Sequence, residues 1–326
     1  MTRGVRNGRV TWRAVLLAAA FGASGLSRSA QDPGTPPEDL AKVTVTVSGR
    51  HQSLPPVALA KDDVLVYEAN QRRPVVDWQS SQGQAAGLDL AVMIDDSSND
   101  TLSVQFSDLR HFLSSLPGTT RVAIVYGVHG DATFAQQFTD DHRVAEHALR
   151  LPLGRINEGS SIYLSVADLA KHWPESGNRR ALLLISDGID LFRGVADSVA
   201  PENPDLQAAI DEAQRAGITV YSIFADGTAR LDRNLFLINN GQSCLSLLTF
   251  ATGGQSYYQG DRTPVAFNPY LQQLATNLGH QYVLSFRLLP SGAAGFQPLR
   301  VTTEQPGVEI TAPDRVFVPA GEAGSR

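Results

Sequence analysis

The sequence has little cysteine, histidine or charge, and each shortage excludes something. Cys244 is the only cysteine among 326 residues, so no disulfide can form within the chain. Seven histidines and the lack of a second cysteine argue against a zinc site. Charged residues make up 18%, against about a quarter in typical globular proteins. Stability must therefore come from a buried core, for which a hydrophobic content of 42% is sufficient.

The first thirty residues have the organisation of a secretory signal peptide. Arginines at positions 3, 6, 9 and 13 precede an apolar stretch over residues 14–25, and small residues continue to Ala30. This stretch is too short to span a bilayer comfortably, which disfavours the alternative of an uncleaved membrane anchor. Cleavage after Ser27, Ser29 or Ala30 fits the pattern. We expect an exported protein, periplasmic or secreted, without a stable transmembrane span after signal cleavage.

The charge and the missing motifs exclude several classes of function. Removal of the five arginines in the first thirty residues changes the formal net charge from −6 to −11, so the mature chain has no broad attraction for nucleic acid or anionic lipid. No G-x-S-x-G motif is present, which excludes a hydrolase nucleophile elbow. No G-x-G-x-x-G motif follows the first strand of the α/β pattern, which argues against a dinucleotide-binding fold.

The remaining chain divides into four segments. Residues 31–42 are rich in proline and polar residues and are predicted to form a flexible lead-in. Residues 43–80 have β-strand patterns, and residues 88–281 alternate apolar strands with amphipathic helices. Residues 282–318 return to β-strand patterns and are predicted to pack with 43–80 as a small β sandwich. The predicted fold class is therefore α/β, with a doubly wound, mostly parallel Rossmann-like sheet and a β-sandwich-like domain.

Within the α/β segment, four apolar runs predict buried strands, and apolar residues spaced three or four apart predict helices. The predicted strands are 88–94, 121–126, 181–185 and 218–224, and residues 132–138 are predicted to be an edge strand. The predicted helices are 104–116, 140–149, 160–173, 205–216, 245–251 and 269–278. Residues 227–242 are predicted to be an irregular insertion.

Polar residues cluster where the predicted parallel strands end. Asp95, Ser97 and Asn99 follow the first strand, Ser160 opens a helix, and Asp187 follows the strand ALLLIS. Ligand sites in open α/β sheets lie at the carboxyl ends of strands. Carboxylate, hydroxyl and amide oxygens suit a hard cation such as Mg²⁺. Taken singly, the two aspartates also fit turn or cap roles, and Ser160 fits an N-cap.

The order of these clusters resembles the metal-ion-dependent adhesion site of von Willebrand factor A (vWA) domains. Those domains have D-x-S-x-S, a threonine loop and an aspartate after an apolar strand; here Asp95, Ser97, Ser160 and Asp187 stand in these places. Ser160 replaces the usual threonine, and Asn99 replaces the second serine. The resemblance implies binding of Mg²⁺, or of Mn²⁺ or Ca²⁺, whose open coordination position takes an acidic side chain of a protein partner.

Two flanking segments extend the resemblance to residues 43–318. KDDVLVYE at residues 61–68 is similar to a D-F-x-V-x-E segment found ahead of the vWA domain in exported bacterial "VWFA-related" proteins, which are common in Acidobacteria. YVLSF at residues 282–286 is similar to the terminal strand of the same group.

The resulting hypothesis is a non-enzymatic binding protein that uses a divalent cation to engage a carboxylate on a protein partner. Two alternatives stay open: a metal-free structural or assembly module of the cell envelope, and a metal-assisted hydrolase. The sequence also favours ordinary roles for two other groups. His129, His142 and His147 are predicted to be exposed loop and helix residues, and Cys244 is predicted to be a buried small apolar residue.

Overall fold

The computed structural model describes residues 40–49, 58–153, 161–227, 234–289 and 293–320. The predicted signal peptide, most of the predicted lead-in and Ser160 lie outside these ranges. All the described residues belong to one compact unit. Among them, no helix is both long enough and apolar enough to cross a bilayer.

The described chain contains fourteen strands and six α-helices, each numbered in chain order. The strands are β1 (Leu40–Gly49), β2 (Val64–Glu68), β3 (Gln71–Arg73), β4 (Val75–Ser80), β5 (Leu88–Asp95), β6 (Thr120–Val128), β7 (Asp131–Thr139), β8 (Arg179–Ser186), β9 (Ile218–Phe224), β10 (Ser256–Tyr257), β11 (Gln281–Arg287), β12 (Gly295–Thr303), β13 (Val308–Thr311) and β14 (Arg315–Val318). The α-helices are α1 (Phe106–Ser115), α2 (His142–His147), α3 (Ile162–Lys171), α4 (Pro204–Arg215), α5 (Leu235–Ala251) and α6 (Asn268–Gly279).

The central sheet of the described chain has the order β10-β9-β8-β5-β6-β7. Its strands are parallel except β7, which pairs antiparallel with β6 at one edge. Every residue of β5 and β9 is buried, as expected for continuous apolar runs covered on both faces. β7 alternates between exposed and half-buried residues, which is typical of an edge strand.

Helices cover both faces of this sheet and define two hydrophobic cores. Residues of α1, α2 and α6 pack on one face, where Leu90, Val92 and Ile94 of β5 point. Residues of α3, α4 and α5 pack on the other face, against Ala91 and Met93. The alternation along β5 follows directly from the two-residue period of a strand. The predicted doubly wound, mostly parallel α/β fold is confirmed.

Two further sheets combine strands from both ends of the described chain. One has the order β13-β1-β11-β4 and the other β14-β12-β2-β3. β11 lies between β1 and β4, and β12 pairs with β2, so the strands that follow the α/β segment pair with those that precede it. Val45, Val66, Phe286 and Val301 belong to one hydrophobic cluster that both sheets share. This packing gives the β-sandwich-like part of the predicted fold class.

The prediction of an irregular insertion over residues 227–242 is wrong from Leu235 onward, where the 17-residue helix α5 begins. The segment INNGQS has low intrinsic helix propensity, which is why its pattern does not predict a helix. Tertiary packing compensates for it. A Cβ on Gly241 would overlap the carbonyl oxygen of Asp187 and would lie 2.9 Å from Cγ1 of Ile189. Only glycine allows α5 to pack this closely against the loop after β8.

Candidate functional site

The carboxyl ends of β5 and β8 bring Asp95 and Asp187 to the same edge of the central sheet. The two strands are parallel neighbours, and Ile94 is in register with Ile185. Asp95 is the last residue of β5, and Asp187 directly follows the end of β8. The chain leaves β5 toward α1 on one face and leaves β8 toward α4 on the other. This divergence is the topological switch point at which open α/β sheets bind ligands.

Asp95 is buried and accepts hydrogen bonds from the loop after its own strand and from the end of the neighbouring strand β8. Its Oδ1 accepts from the backbone N–H of Ser97 at 2.9 Å and from the Ser97 hydroxyl at 2.6 Å. Its Oδ2 accepts from the Ser186 hydroxyl at 2.8 Å. A hydroxyl that donates one hydrogen bond keeps lone pairs for a further donor or a cation. The arrangement therefore fixes the Ser97 hydroxyl beside the Asp95 carboxylate.

A third segment, Asp226–Gly227, closes the same edge. The Asn99 N–H donates to the Asp226 carbonyl at 2.9 Å, and Ser98 forms a β-bridge with Gly227. A Cβ on Gly227 would overlap Oδ2 of Asp187, lie 3.2 Å from its Cγ and 3.9 Å from the carbonyl oxygen of Ser97. The structure thus brings the loops carrying Ser97 and Asp187 together at Gly227. No motif in the sequence identifies this glycine as part of the site, although it lies shortly after the buried strand β9.

Asn99 caps a 3₁₀ helix. Its side-chain oxygen accepts a hydrogen bond from the N–H of Thr101 at 2.9 Å, at the start of the 3₁₀ helix Asp100–Gln105. This is a standard capping interaction. Because an amide oxygen has two lone pairs, the cap leaves one of them for another donor or a cation.

Ser161, the neighbour of the predicted ligand Ser160, connects α3 to the loop after β8. Its hydroxyl donates to Oδ2 of Asp190 at 2.6 Å and accepts from the N–H of Tyr163 at 3.2 Å, as an N-cap. Asp190 is 4% exposed and also accepts from Asn203 Nδ2 at 3.1 Å and from Phe192 N–H at 3.0 Å. The segment Ser186–Asp190 is therefore held from both sides by hydrogen bonds to its second aspartate, Asp190.

Asp96 anchors the segment after α2. Its Oδ1 accepts from the Arg150 guanidinium at 2.6 Å and from the Leu153 N–H at 3.2 Å. The guanidinium carbon of Arg150 lies 3.7 Å from the ring centre of Tyr126, a cation–π contact. Burial raises the pKa of the Tyr126 hydroxyl, which donates to the Arg150 carbonyl at 2.7 Å. These contacts fix residues 150–153 beside the site.

The donor set at this edge consists of oxygen atoms. Asp95 and Asp187 supply carboxylates, Ser97 supplies a hydroxyl and Asn99 an amide oxygen, which together fit a hard cation in their chemistry. In the described ranges, no group of three or more histidine, cysteine, aspartate and glutamate residues is arranged to hold a metal ion. Any cation here would therefore rely on two carboxylates and on hydroxyl oxygens.

No family model matches the chain, and no curated protein matches its sequence. Several solved structures are similar. An aerotolerance-related membrane protein from Bacteroides fragilis aligns at 15% identity with a TM-score of 0.43, covering 59% of this chain and 98% of that one. The VWA domain of SpRpn10 aligns at 13% identity with a TM-score of 0.36, covering 59% and 97%.

The pilus adhesin SpaC from Lactobacillus rhamnosus GG aligns at 12% identity with a TM-score of 0.41. The match covers 78% of this chain and 41% of the adhesin structure, so this chain spans less than half of it. The topology of the described residues agrees with what the motifs predict. The central sheet is mostly parallel and covered on both faces, and polar segments follow β5 and β8 at one of its edges. The described chain has a doubly wound, mostly parallel α/β fold, which is the fold that the resemblance to von Willebrand factor A domains implies.

Proposed function

We propose that this protein is a non-enzymatic binding module that engages an acidic group on a protein partner through a divalent cation. The cation, Mg²⁺ or alternatively Mn²⁺ or Ca²⁺, would be held by Asp95, Ser97, Asn99, Ser160 and Asp187. One observation carries the proposal: the loops after β5, β8 and β9 meet at Gly227, which lies against both the Asp187 carboxylate and the Ser97 segment.

Side chains around this edge support a role in binding protein. Large apolar residues there are well exposed, among them Leu153, Phe192, Val195, Leu235 and Phe236, each between 42% and 56%. We call these five residues the apolar rim. Single exposed apolar residues are ordinary on protein surfaces. Two of them, however, lie in segments tied to the edge: the Leu153 N–H donates to Asp96, and the Phe192 N–H donates to Asp190.

The proposed chemistry assigns separate roles to charge and to apolar contact. When bound, a divalent cation supplies an open coordination position that a partner carboxylate can occupy. Asp95 orients the Ser97 hydroxyl by accepting its hydrogen bond, and the Ser186 hydroxyl holds the Asp95 carboxylate in place. The cation would supply the specific attraction for a partner carboxylate, and burial of the apolar rim would add affinity that does not depend on the ion.

A specific observation favours the second candidate, a metal-free structural module of the cell envelope. Both Asp95 oxygens accept hydrogen bonds from protein donors, and the Asn99 oxygen caps a helix turn. These bonds satisfy part of the donor set without a cation. In this alternative the same edge binds a partner through hydrogen bonds and the apolar rim alone.

Export remains part of the proposal. The basic and apolar pattern of residues 1–30 supports removal of a signal peptide and a periplasmic or secreted location. N-terminal sequencing of the protein purified from its own cell envelope or medium tests this directly. We expect a mature end after Ser27, Ser29 or Ala30, and an intact Met1 on cytoplasmic protein would contradict export.

Calorimetric titration with Mg²⁺ and Mn²⁺ separates the two candidates. We expect one cation per wild-type chain and no saturable binding to the Asp187→Asn variant, because the substitution removes a charged ligand. Asp140→Asn is the matched control, because Asp140 is an exposed carboxylate after β7, outside the candidate site. Absence of binding to the wild type, or equal binding to wild type and Asp187→Asn, would contradict the cation site and favour the metal-free module.

A further inference from the structure

The opposite edge of the central sheet contains a cavity that the proposed function does not use. It has a volume of about 510 Å³, within the range of small-molecule sites. It is lined from three sides: by β1 and by β4 and β11 of the neighbouring sheet, by the turn at Ala216 and Gly217, and by residues 176–180 at the start of β8. We call it the amino-edge cavity, because it lies where the parallel strands begin.

Half of the residues that line this cavity are cationic or polar. Lys42, Arg179 and Arg180 contribute positive charge, and Ser176 and Asn178 contribute polar groups. Among the described residues, no aspartate or glutamate lines it. This concentration of positive charge is unexpected in a chain whose formal net charge is −6.

A buried carboxylate that contacts two of the lining residues is already engaged. Asp89, which is fully buried, is in register with Arg180 on the neighbouring strand. It accepts hydrogen bonds from the Ser176 hydroxyl at 2.7 Å and from Asn178 Nδ2 at 2.8 Å, and its Oδ1 lies 3.4 Å from the Arg121 guanidinium. Asp89 forms its ion pair with Arg121, and among the described residues Lys42, Arg179 and Arg180 form no ion pair with a carboxylate.

Arg179 is buried without any carboxylate partner. The residue is 9% exposed, and its guanidinium donates to the Leu278 carbonyl at 3.1 Å, to the Ala86 carbonyl at 3.3 Å and to the Gln281 side chain. Its Nε is buried and has no hydrogen-bond partner. Burial lowers the pKa of Arg179 to about 10, so the group stays protonated at neutral pH. A buried cation with an unsatisfied donor is costly unless an anion completes it.

Arg180 is positioned to contact a ligand. One of its guanidinium nitrogens donates to the Ala216 carbonyl at 3.0 Å, which holds the side chain across the cavity wall. An arginine has five N–H donors in a planar fork, so most of them stay available to an oxyanion. Lys42 adds an exposed ammonium on β1, at the mouth of the same cavity.

We propose that the amino-edge cavity binds a small organic anion of metabolite size that carries a phosphate or carboxylate group. Arg180 and Lys42 contact the anionic group, and Arg179 supplies buried positive charge behind them. A carboxylate is planar and a phosphate is tetrahedral, and each presents a pair of oxygens that can accept two hydrogen bonds from an arginine. The cavity is at the edge opposite Asp95 and Asp187, so its ligand and the proposed cation bind independently.

Calorimetric titration of the full chain with inorganic phosphate, glucose 6-phosphate and citrate tests this proposal and distinguishes phosphate from carboxylate ligands. We expect saturable binding of one anion per chain, weakened about tenfold or more in Arg180→Gln, since a charged hydrogen bond is lost. Lys42→Gln provides a second variant at an exposed position, where misfolding is not a concern.

The matched control is Arg72→Gln, which removes an exposed arginine from β3, away from the cavity. Its affinity for the anion should equal that of the wild type. Asp187→Asn should also bind the anion normally, which separates this site from the proposed cation site. Failure of all three anions to bind saturably, or equal weakening in Arg72→Gln, would overturn the proposal.

Discussion

At the scale of single residues, the candidate site depends on two aspartates and on a serine of the strand beside the first of them. Asp95 and Asp187 stand out because each follows a long apolar run. The hydroxyl of Ser186 is equally important, since it donates to Asp95 across the strand pair. Nothing in the local pattern identifies it, because a serine at the end of a buried strand has many possible partners and the register between β5 and β8 decides which one it meets.

Gly227 gives the sharpest prediction at this scale. A Cβ at position 227 would overlap the Asp187 carboxylate, so Gly227→Ala must displace either the loop after β9 or Asp187 itself. We expect a loss of about 1–3 kcal/mol in the free energy of unfolding, together with a marked loss of Mg²⁺ affinity. Urea unfolding and calorimetry measure the two effects.

Gly118→Ala is the control for Gly227→Ala, because a Cβ at Gly118 would meet nothing within 4 Å. Its stability and its Mg²⁺ affinity should stay close to those of the wild type. Wild-type affinity in Gly227→Ala would show that the packing of this glycine against Asp187 does not matter for the cation.

At the scale of elements, strands with continuous apolar runs were predictable and helices with mixed patterns were less so. β5, β8 and β9 correspond closely to the predicted buried strands, because burial on both faces imposes an unambiguous composition. α5 was predicted only in its last turns. Its first half contains Asn239, Asn240 and Gly241, which disfavour a helix locally, and only its packing on the loop after β8 explains them.

The start of α3 provides a test at this scale. Ser161 both caps the helix and donates to the buried Asp190, so Ser161→Ala removes the cap and one of the hydrogen bonds that satisfy Asp190. We expect the free energy of unfolding to fall by about 1–3 kcal/mol, as measured by urea denaturation.

Ser114→Ala is the comparison variant for the cap. Ser114 is exposed, and its hydroxyl only contacts carbonyl groups of its own helix, so its loss should change stability by no more than about 0.5 kcal/mol. Equal effects of the two substitutions would show that neither the cap nor the contact with Asp190 contributes measurably to stability.

At the scale of the whole molecule, the chain presents two chemically different edges of one sheet. The carboxyl edge brings together oxygen ligands from three loops, whereas the amino edge carries cationic side chains around a cavity. The carboxyl edge could be anticipated, since parallel strands place their ends together. The amino edge could not, because Lys42 comes from β1 of a different sheet, more than a hundred residues before Arg179. Only tertiary packing joins them.

The proposed cation site is the central claim, and a crystal structure of the chain grown with Mn²⁺ tests it most directly. Anomalous scattering at the manganese edge locates the ion independently of any assumption about its ligands. We predict one strong peak at the carboxyl edge, beside the Ser97 hydroxyl and the Asp187 carboxylate, that disappears in Asp187→Asn. A well-ordered structure without a peak there, at an Mn²⁺ concentration that saturates any binding in solution, would contradict the account.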